Sequence, residues 1–553
     1  MAYIDTNSQP FAELASAPST SAKQKDHYKE TDQVEHADIG RQRIFQDSSS
    51  PNDDEVPTSD PDRDHEIGRT HHTAHLQDPH PRRGAAARRP TPLFGGPAED
   101  DIESRPLGTV DGNTNPPHVW EHNVRVHPQK PTFFDKCVTE GFQLGSFLGT
   151  STFFLLYVVY ATTVYIIHKL NPFHKLPPGP PIKGSEYEKR ITGERFSARP
   201  EYYIRYWGYE CELVEVETDD GFLVRLHHIL PKRHKDGSAP SIKGTPVLIV
   251  HGILSSSTTF VVNEERSLAF YLLESGYDVW LGDIRGNFKM KHKTFSRLNP
   301  RYWSWSIKEI AIYDLPAMIT HIYHHTGKKV AYVGHSQGTG TLFLSLTRGL
   351  RPDVGKMLRC FVALGPAVYA GPVLKQFPFN ILRKFKSRKL WGVLMGEREF
   401  IPIMSLVAGY LLPSWAFGHL AMPVFLDLFD CSPQNWVPRQ IPKMFRAVPV
   451  PNSSELLYYY MSTFSWKGCI FKTDHLEPWW DHNFPPLMIA YGKLDTLVLG
   501  EPLVQRIKER EPDVRLVKVV ALENYDHLDL TWSVDAVERV FVHIKDTIED
   551  SAP

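Results

Sequence analysis

Ser336 stands in Gly334-His335-Ser336-Gln337-Gly338, directly after the apolar run Val330-Ala331-Tyr332-Val333 and just before a helical pattern over Thr341 to Leu350. A serine on so tight a turn between strand and helix is held up as a nucleophile. The outer glycines belong to that turn, because it brings the two backbones too close for side chains. A nucleophilic serine needs a base, an acid that orients the base, and N–H donors for the oxyanion formed on attack at a carbonyl. Downstream, Asp495 follows the apolar run Leu487-Met488-Ile489-Ala490-Tyr491-Gly492, and His527 follows a second run from Val514 to Leu522. Upstream, Pro246-Val247-Leu248-Ile249-Val250 ends in His251-Gly252-Ile253, so the N–H of Ile253 can join that of Gln337 in an oxyanion hole. Each fragment alone is common. In this order, each at the end of a strand, they point to acyl transfer by a triad of Ser336, Asp495 and His527.

Residues so far apart in the chain meet only if strands carry them to one edge of a sheet. Apolar runs at Val247–Val250, Val279–Gly282, Val330–Val333, Phe361–Leu364, Leu487–Tyr491 and Leu516–Val520 are separated in several places by helical patterns, such as Ser306 to His324. That alternation predicts a mostly parallel sheet covered on both faces. Cys211 to Leu230 predicts a hairpin, with Phe222, Val224 and Leu226 alternating after the Asp220-Gly221 turn. His321 and His325 lie one helical turn apart, as zinc ligands can, but no third ligand is evident and a solvated helix face is the reading taken.

Between Ser336 and Asp495 the chain carries an extra segment of about 110 residues, from Pro372 to about Pro485, far beyond an ordinary connection. It predicts a cap over the active site. Phe400 to Leu426 has no Asp, Glu, Lys or Arg. Pro402, Pro413 and Pro423 are expected to break it repeatedly, giving an apolar lid or membrane-dipping loop rather than a second membrane helix. Just before it, Arg383-Lys384-Phe385-Lys386-Ser387-Arg388-Lys389-Leu390-Trp391 interleaves basic and aromatic side chains, which suits either anionic lipid head groups or a plain solvated face.

His251-Gly252-Ile253-Leu254, Gly276-Tyr277-Asp278-Val279-Trp280-Leu281-Gly282, Arg285-Gly286-Asn287, Tyr313-Asp314-Leu315-Pro316-Ala317, Gly334 to Gly338 and His527-Leu528-Asp529 resemble the acid lipase and steryl ester hydrolase family of α/β-hydrolases. Tyr206-Trp207-Gly208-Tyr209 with Glu217-Thr218-Asp219-Asp220-Gly221-Phe222 is similar to the segment that leads into that family's catalytic domain. The resemblance runs from about Tyr202 to about Val542. It implies the same triad and the same oxyanion donors, with no metal or organic cofactor. At its front end the chain departs from the secreted and lysosomal members and is more similar to the membrane-anchored steryl ester hydrolases of fungi.

The chain has 553 residues and a formal net charge of −2, so no global charge drives it toward nucleic acid. Its five cysteines are scattered, without disulfide or metal spacing, and suit a reducing compartment. Residues 1–126 are rich in Ser, Pro, Asp, His and Arg and poor in aliphatics, which predicts disorder. The cluster His71-His72-Thr73-Ala74-His75 there reads as a solvated tract rather than a metal site. Leu144 to Ile167 is uncharged and apolar, and at about 24 residues is long enough to cross a bilayer. It lies too far from the start for a secretory signal. The expected domains are thus 1–126 disordered, 142–168 a membrane-anchoring helix, 169–200 a linker stiffened by Pro177-Pro178-Gly179-Pro180-Pro181, and 201–545 an α/β-hydrolase domain with a cap at about 372–485. Gly141, Gly145 and Gly149 recur every four residues, which would let a second copy of the helix approach as a homodimer. Basic residues on the two sides of the span balance, so its orientation is not set by charge.

The expected function is a membrane-anchored serine esterase acting on neutral lipid esters at a membrane or lipid-droplet surface. The resemblance points to steryl esters, with triacylglycerol second, and the intact triad weighs against a catalytically inactive lipid-binding fold.

Overall fold

The computed structural model describes residues 133–171, 192–232, 244–464, 467–471 and 477–551. The expected disordered region, the histidine cluster within it and most of the linker lie outside these.

Helix α1 (Phe133–Leu170) comes first, followed by the short helix α2 (Pro200–Tyr206). Strands β1 (Glu210–Glu217) and β2 (Phe222–Leu230) form the expected antiparallel hairpin. β3 (Pro246–Val250), helix α3 (Leu268–Glu274) and β4 (Asp278–Asp283) follow, then the two-residue β5 (Lys291–His292) on the edge of β2. Helix α4 (Leu315–Thr326) is entered through Ile307–Glu309, capped reciprocally by Ser306 and Glu309, and a wider turn at Ile310–Asp314. β6 (Val330–His335), helix α5 (Gln337–Ser345) and β7 (Leu358–Leu364) complete the first half. α5 begins at once after Ser336 and stops at Ser345, earlier at both ends than the Thr341–Leu350 pattern suggested, because the turn itself supplies the first helical residues.

The insertion between β7 and β8 carries helices α6 (Arg388–Met395) and α7 (Ser414–Leu428) with several shorter turns. β8 (Leu487–Gly492), α8 (Gly500–Arg510), β9 (Leu516–Leu522) and α9 (Val542–Asp550) close the domain.

Among the described residues the sheet has nine strands, ordered β1-β2-β4-β3-β6-β7-β8-β9 with β5 beside β2. Every pairing from β4 to β9 is parallel. This is the α/β-hydrolase fold. β3, β4 and β6 are buried at every position, as expected of strands covered on both faces. The parallel order puts the ends of β3, β6, β8 and β9 along one edge, and these are the ends that carry Ile253, Ser336, Asp495 and His527.

Within the insertion Pro402 opens a short helix and Pro413 precedes α7, so both bound helices as expected. Pro423 does not break the chain. It lies inside α7, which buries Phe417, Ala421, Val424 and Phe425. That packing offsets the one backbone hydrogen bond a proline removes. Trp391 is not an outward docking residue. It is buried in α6, and its indole N–H donates to Ser454 Oγ at 2.9 Å. Gly141, Gly145 and Gly149 of α1 have nothing within 4 Å of where a Cβ would stand.

Candidate active site

Ser336 sits at φ +54° and ψ −118°, a region where an L-residue is strained. Backbone bonds hold it there. Its N–H donates to the Leu364 carbonyl at 2.9 Å, and its own carbonyl accepts from the N–H groups of Thr339 and Gly340 at 3.0 and 3.1 Å. The glycine pattern around it is steric. A Cβ on Gly334 would stand 2.9 Å from the backbone of Gly338, and one on Gly338 would stand 2.5 Å from the Val250 carbonyl oxygen.

Asp495 and His527 meet beyond the ends of β8 and β9. His527 Nδ1 lies 2.7 Å from Asp495 Oδ2, with both side chains buried. Asp495 Oδ1 accepts the N–H groups of Leu497 and Val498 at 2.9 and 3.0 Å, which fixes the carboxylate toward the imidazole. His527 and Ser336 line one cavity of about 410 Å³ together with Gly252, Ile253 and Leu528. Ile253 approaches from the end of β3, where a Cβ on Gly252 would lie 3.0 Å from Ser336 Cβ. Gln337 is the first residue of α5, so its N–H has no carbonyl one turn earlier in the helix to donate to. Ser336, Ile253 and His527 thus line the smaller cavity, Asp495 is bonded to His527 behind it, and Gln337 lines the larger cavity next to Ser336.

Buried titratable groups brace this point. His335 donates Nε2–H to the His527 carbonyl at 3.1 Å. Burial first, and then the nearness of His527, push its pKa down to about 3, so it stays neutral. Behind the turn that follows β3, Asp283 Oδ1 accepts the Ser257 N–H at 2.8 Å while Oδ2 lies 3.0 Å from His227 Nε2. Asp526 and Asp529 flank His527 and reach into the insertion. Asp526 Oδ2 accepts the Ser432 N–H at 2.7 Å, and Asp529 accepts Asn435 Nδ2 and the Trp436 indole N–H, each at 2.7 Å. Burial raises both carboxyls, Asp529 to about 6. The sequence motifs assign no role to Asp283, Asp526 or Asp529, although Asp529 closes the quoted His527-Leu528-Asp529. Asp283 stands one residue past the quoted Gly276–Gly282 run. The flanking acids bind partners almost a hundred residues away, which no local pattern marks.

Ser336 also lines a larger cavity of about 1010 Å³. Ser336, Ile253 and Leu497 line both cavities. The larger is walled by the insertion (Phe400, Met404 and Phe425 among others) and holds no Asp, Glu, Lys, Arg or His. Phe153, Phe154 and Tyr157 of α1 also line it, a contribution the sequence reading did not foresee. His321 and His325 stack with ring centroids 6.2 Å apart beside Trp280, on the outside of the sheet.

A model of the partial alpha/beta-hydrolase lipase region matches residues 200–264, and one of the alpha/beta hydrolase fold matches residues 245–382. Sterol esterase 2 of Saccharomyces cerevisiae is 32% identical over 379 residues, covering 61% of this chain and 69% of that protein. Human lipase member K is 29% identical over 361 residues, covering 61% of this chain and 87% of the relative. Human lysosomal acid lipase/cholesteryl ester hydrolase is 38% identical over 232 residues, covering 40% of this chain and 53% of the relative.

Proposed function

We propose a substrate and a mechanism for this chain, which belongs to the acid lipase and sterol esterase family of α/β-hydrolases and is therefore a carboxylic ester hydrolase. The substrate is a steryl ester, cleaved to sterol and free fatty acid. The observation that carries this reading is the pair of cavities meeting at Ser336, the larger one free of charged side chains. An ester with a bulky apolar half fits a nucleophile set in the wall of a chamber without charged side chains, next to the smaller cavity that His527 lines. The name of the yeast relative supports the sterol half. Triacylglycerol is the second reading, favoured by the gastric triacylglycerol lipase of Rattus norvegicus, 35% identical over 237 residues.

In the proposed reaction Ser336 Oγ attacks the acyl carbonyl and His527 Nε2 takes its proton. Asp495, accepting a hydrogen bond from Nδ1–H, fixes the tautomer and stabilises the imidazolium. The N–H groups of Ile253 and Gln337 hold the oxyanion. Collapse breaks the ester bond, and His527 returns the proton to the departing sterol oxygen. Water, deprotonated by His527, then attacks the acyl-enzyme and releases the fatty acid and Ser336. No step calls on a metal or an organic cofactor.

α1 is proposed to hold the enzyme on a lipid surface. The stretch Gln143–Leu170 is long and apolar enough to cross a membrane, and most of it is uncovered by protein. Ser336→Ala is expected to abolish fatty acid release and fluorophosphonate labelling while sparing membrane attachment; retained turnover would refute the nucleophile. Release of fatty acid from cholesteryl oleate and from triolein by the purified protein separates the two substrates, and faster turnover of triolein would make triacylglycerol the preferred ester.

A further inference from the structure

We infer that α1 is a wall of the substrate chamber and helps decide which esters are accepted, beyond holding the enzyme at lipid. This rests on the reading of Ser336 as the nucleophile.

One face of α1 is packed and the other is bare. Ser146, Thr150, Tyr157 and Ala161 fall at helical spacing and are 0–5% exposed, whereas Leu148, Leu155, Leu156 and Val159 are 55–66% exposed. The packed face lies on α6 and α7 of the insertion. A helix that served only as an anchor would have no need of a polar side on the protein. In α1 the polar groups are fastened. Ser146 Oγ donates to the Val393 carbonyl in α6, and the Tyr157 hydroxyl donates to Asp427 Oδ2 in α7 at 2.6 Å. Asp427 is the first acidic residue after the uncharged stretch 400–426, so its carboxylate marks the place where α1 is pinned. The Phe377 ring stands edge-on to Tyr157 and Tyr160, with centroids 5.8 and 4.9 Å away.

With α1 fixed in this way, Phe153 and Phe154 face the same cavity as Ser336 and Gln337. Two aromatic rings from the lipid-binding helix thus form part of the surface against which a long acyl chain or a sterol would lie. Removing a ring deepens the chamber and adding bulk makes it shallower, so each changes the ratio between large and small substrates. The outward leucines of the same helix line neither cavity, and their loss leaves that ratio where it was.

The test uses the full chain in lipid nanodiscs and compares kcat/KM for p-nitrophenyl palmitate with kcat/KM for p-nitrophenyl butyrate. Phe153→Ala and Phe154→Ala should each shift the palmitate-to-butyrate ratio by about tenfold. Phe154→Trp should shift it in the opposite direction. Leu155→Ala and Leu156→Ala should keep it within about twofold of the parent. Inner and outer substitutions that move the ratio alike, or leave it unmoved alike, would overturn the inference. Should an alanine variant fail to fold, Phe153→Leu and Phe154→Leu, read by the same ratio, decide in its place. Fluorophosphonate labelling separates the two levels: a parent protein neither labelled at Ser336 nor active on either ester defeats the nucleophile reading, whereas a labelled, active protein with an unmoved ratio defeats only the role of α1.

Discussion

Asp495 shows how completely one side chain can be committed. One oxygen faces His527 Nδ1 at 2.7 Å, and the other accepts two backbone N–H groups of the turn that carries it. Asp495→Asn keeps the volume but removes the charge that favours the imidazolium and frees the imidazole to take the wrong tautomer. It should lower kcat by about 10³- to 10⁴-fold with little change in KM, while circular dichroism remains that of the parent. The placement of Ser336, Asp495 and His527 beyond strand ends was legible because apolar runs followed by turn residues recur along the chain. Their supports were not. Asp526 and Asp529 are read as a loop until the fold brings Ser432, Asn435 and Trp436 against them. Lone acids in sequence carry no sign of the donors they will meet.

At the scale of elements, the strands and the place of the insertion were legible, and the packing inside the insertion was not. β3, β6 and β8 are uninterrupted apolar runs, and their type follows from burial on both faces. The glycines at the end of β6 announce contacts that only backbone can make, so Gly338→Ala is expected to prevent accumulation of folded protein, because its Cβ would meet the Val250 carbonyl at 2.5 Å. In the insertion, tertiary packing overrides local preference, as Pro423 inside α7 shows. Glu399, beside this region, contributes a pH response. Burial is the main cause that raises its carboxyl to about 7, opposed by the Ser405 hydroxyl and by Arg297. A raised carboxyl binds more protons folded than unfolded, so its stabilising effect is present at low pH and is lost as pH climbs toward and through 7. Glu399→Gln imitates the protonated form. It should leave the melting temperature unchanged at pH 5 and raise it by about 2–4 °C at pH 8; equal melting at both pH values would count against the assignment.

Across the whole molecule, bare apolar side chains of the insertion gather near α1. Leu390, Val393 and Leu394 project from α6, Leu406 and Leu411 from the turns that follow, and Trp415 from the start of α7. Lys384, Lys386 and Lys389 are exposed at the start of the same stretch. Replacing these three lysines by glutamine should reduce turnover of ester emulsions coated with anionic phospholipid at low salt, leave emulsions coated with phosphatidylcholine unaffected, and lose its effect at high salt. Loss on both coatings would mean that the lysines support the fold instead. The sequence carried the signal for a hydrophobic helix but not for what it leans on, because hydropathy counts residues and ignores their facing. From Ser146 to Ala161 the packed side of α1 extends for about 22 Å, most of the thickness of a bilayer's hydrocarbon. A rod braced against its own protein over that depth keeps one flank dry by contact with the insertion, and leaves only the opposite flank, with Leu148, Leu155, Leu156 and Val159, for an apolar environment to cover.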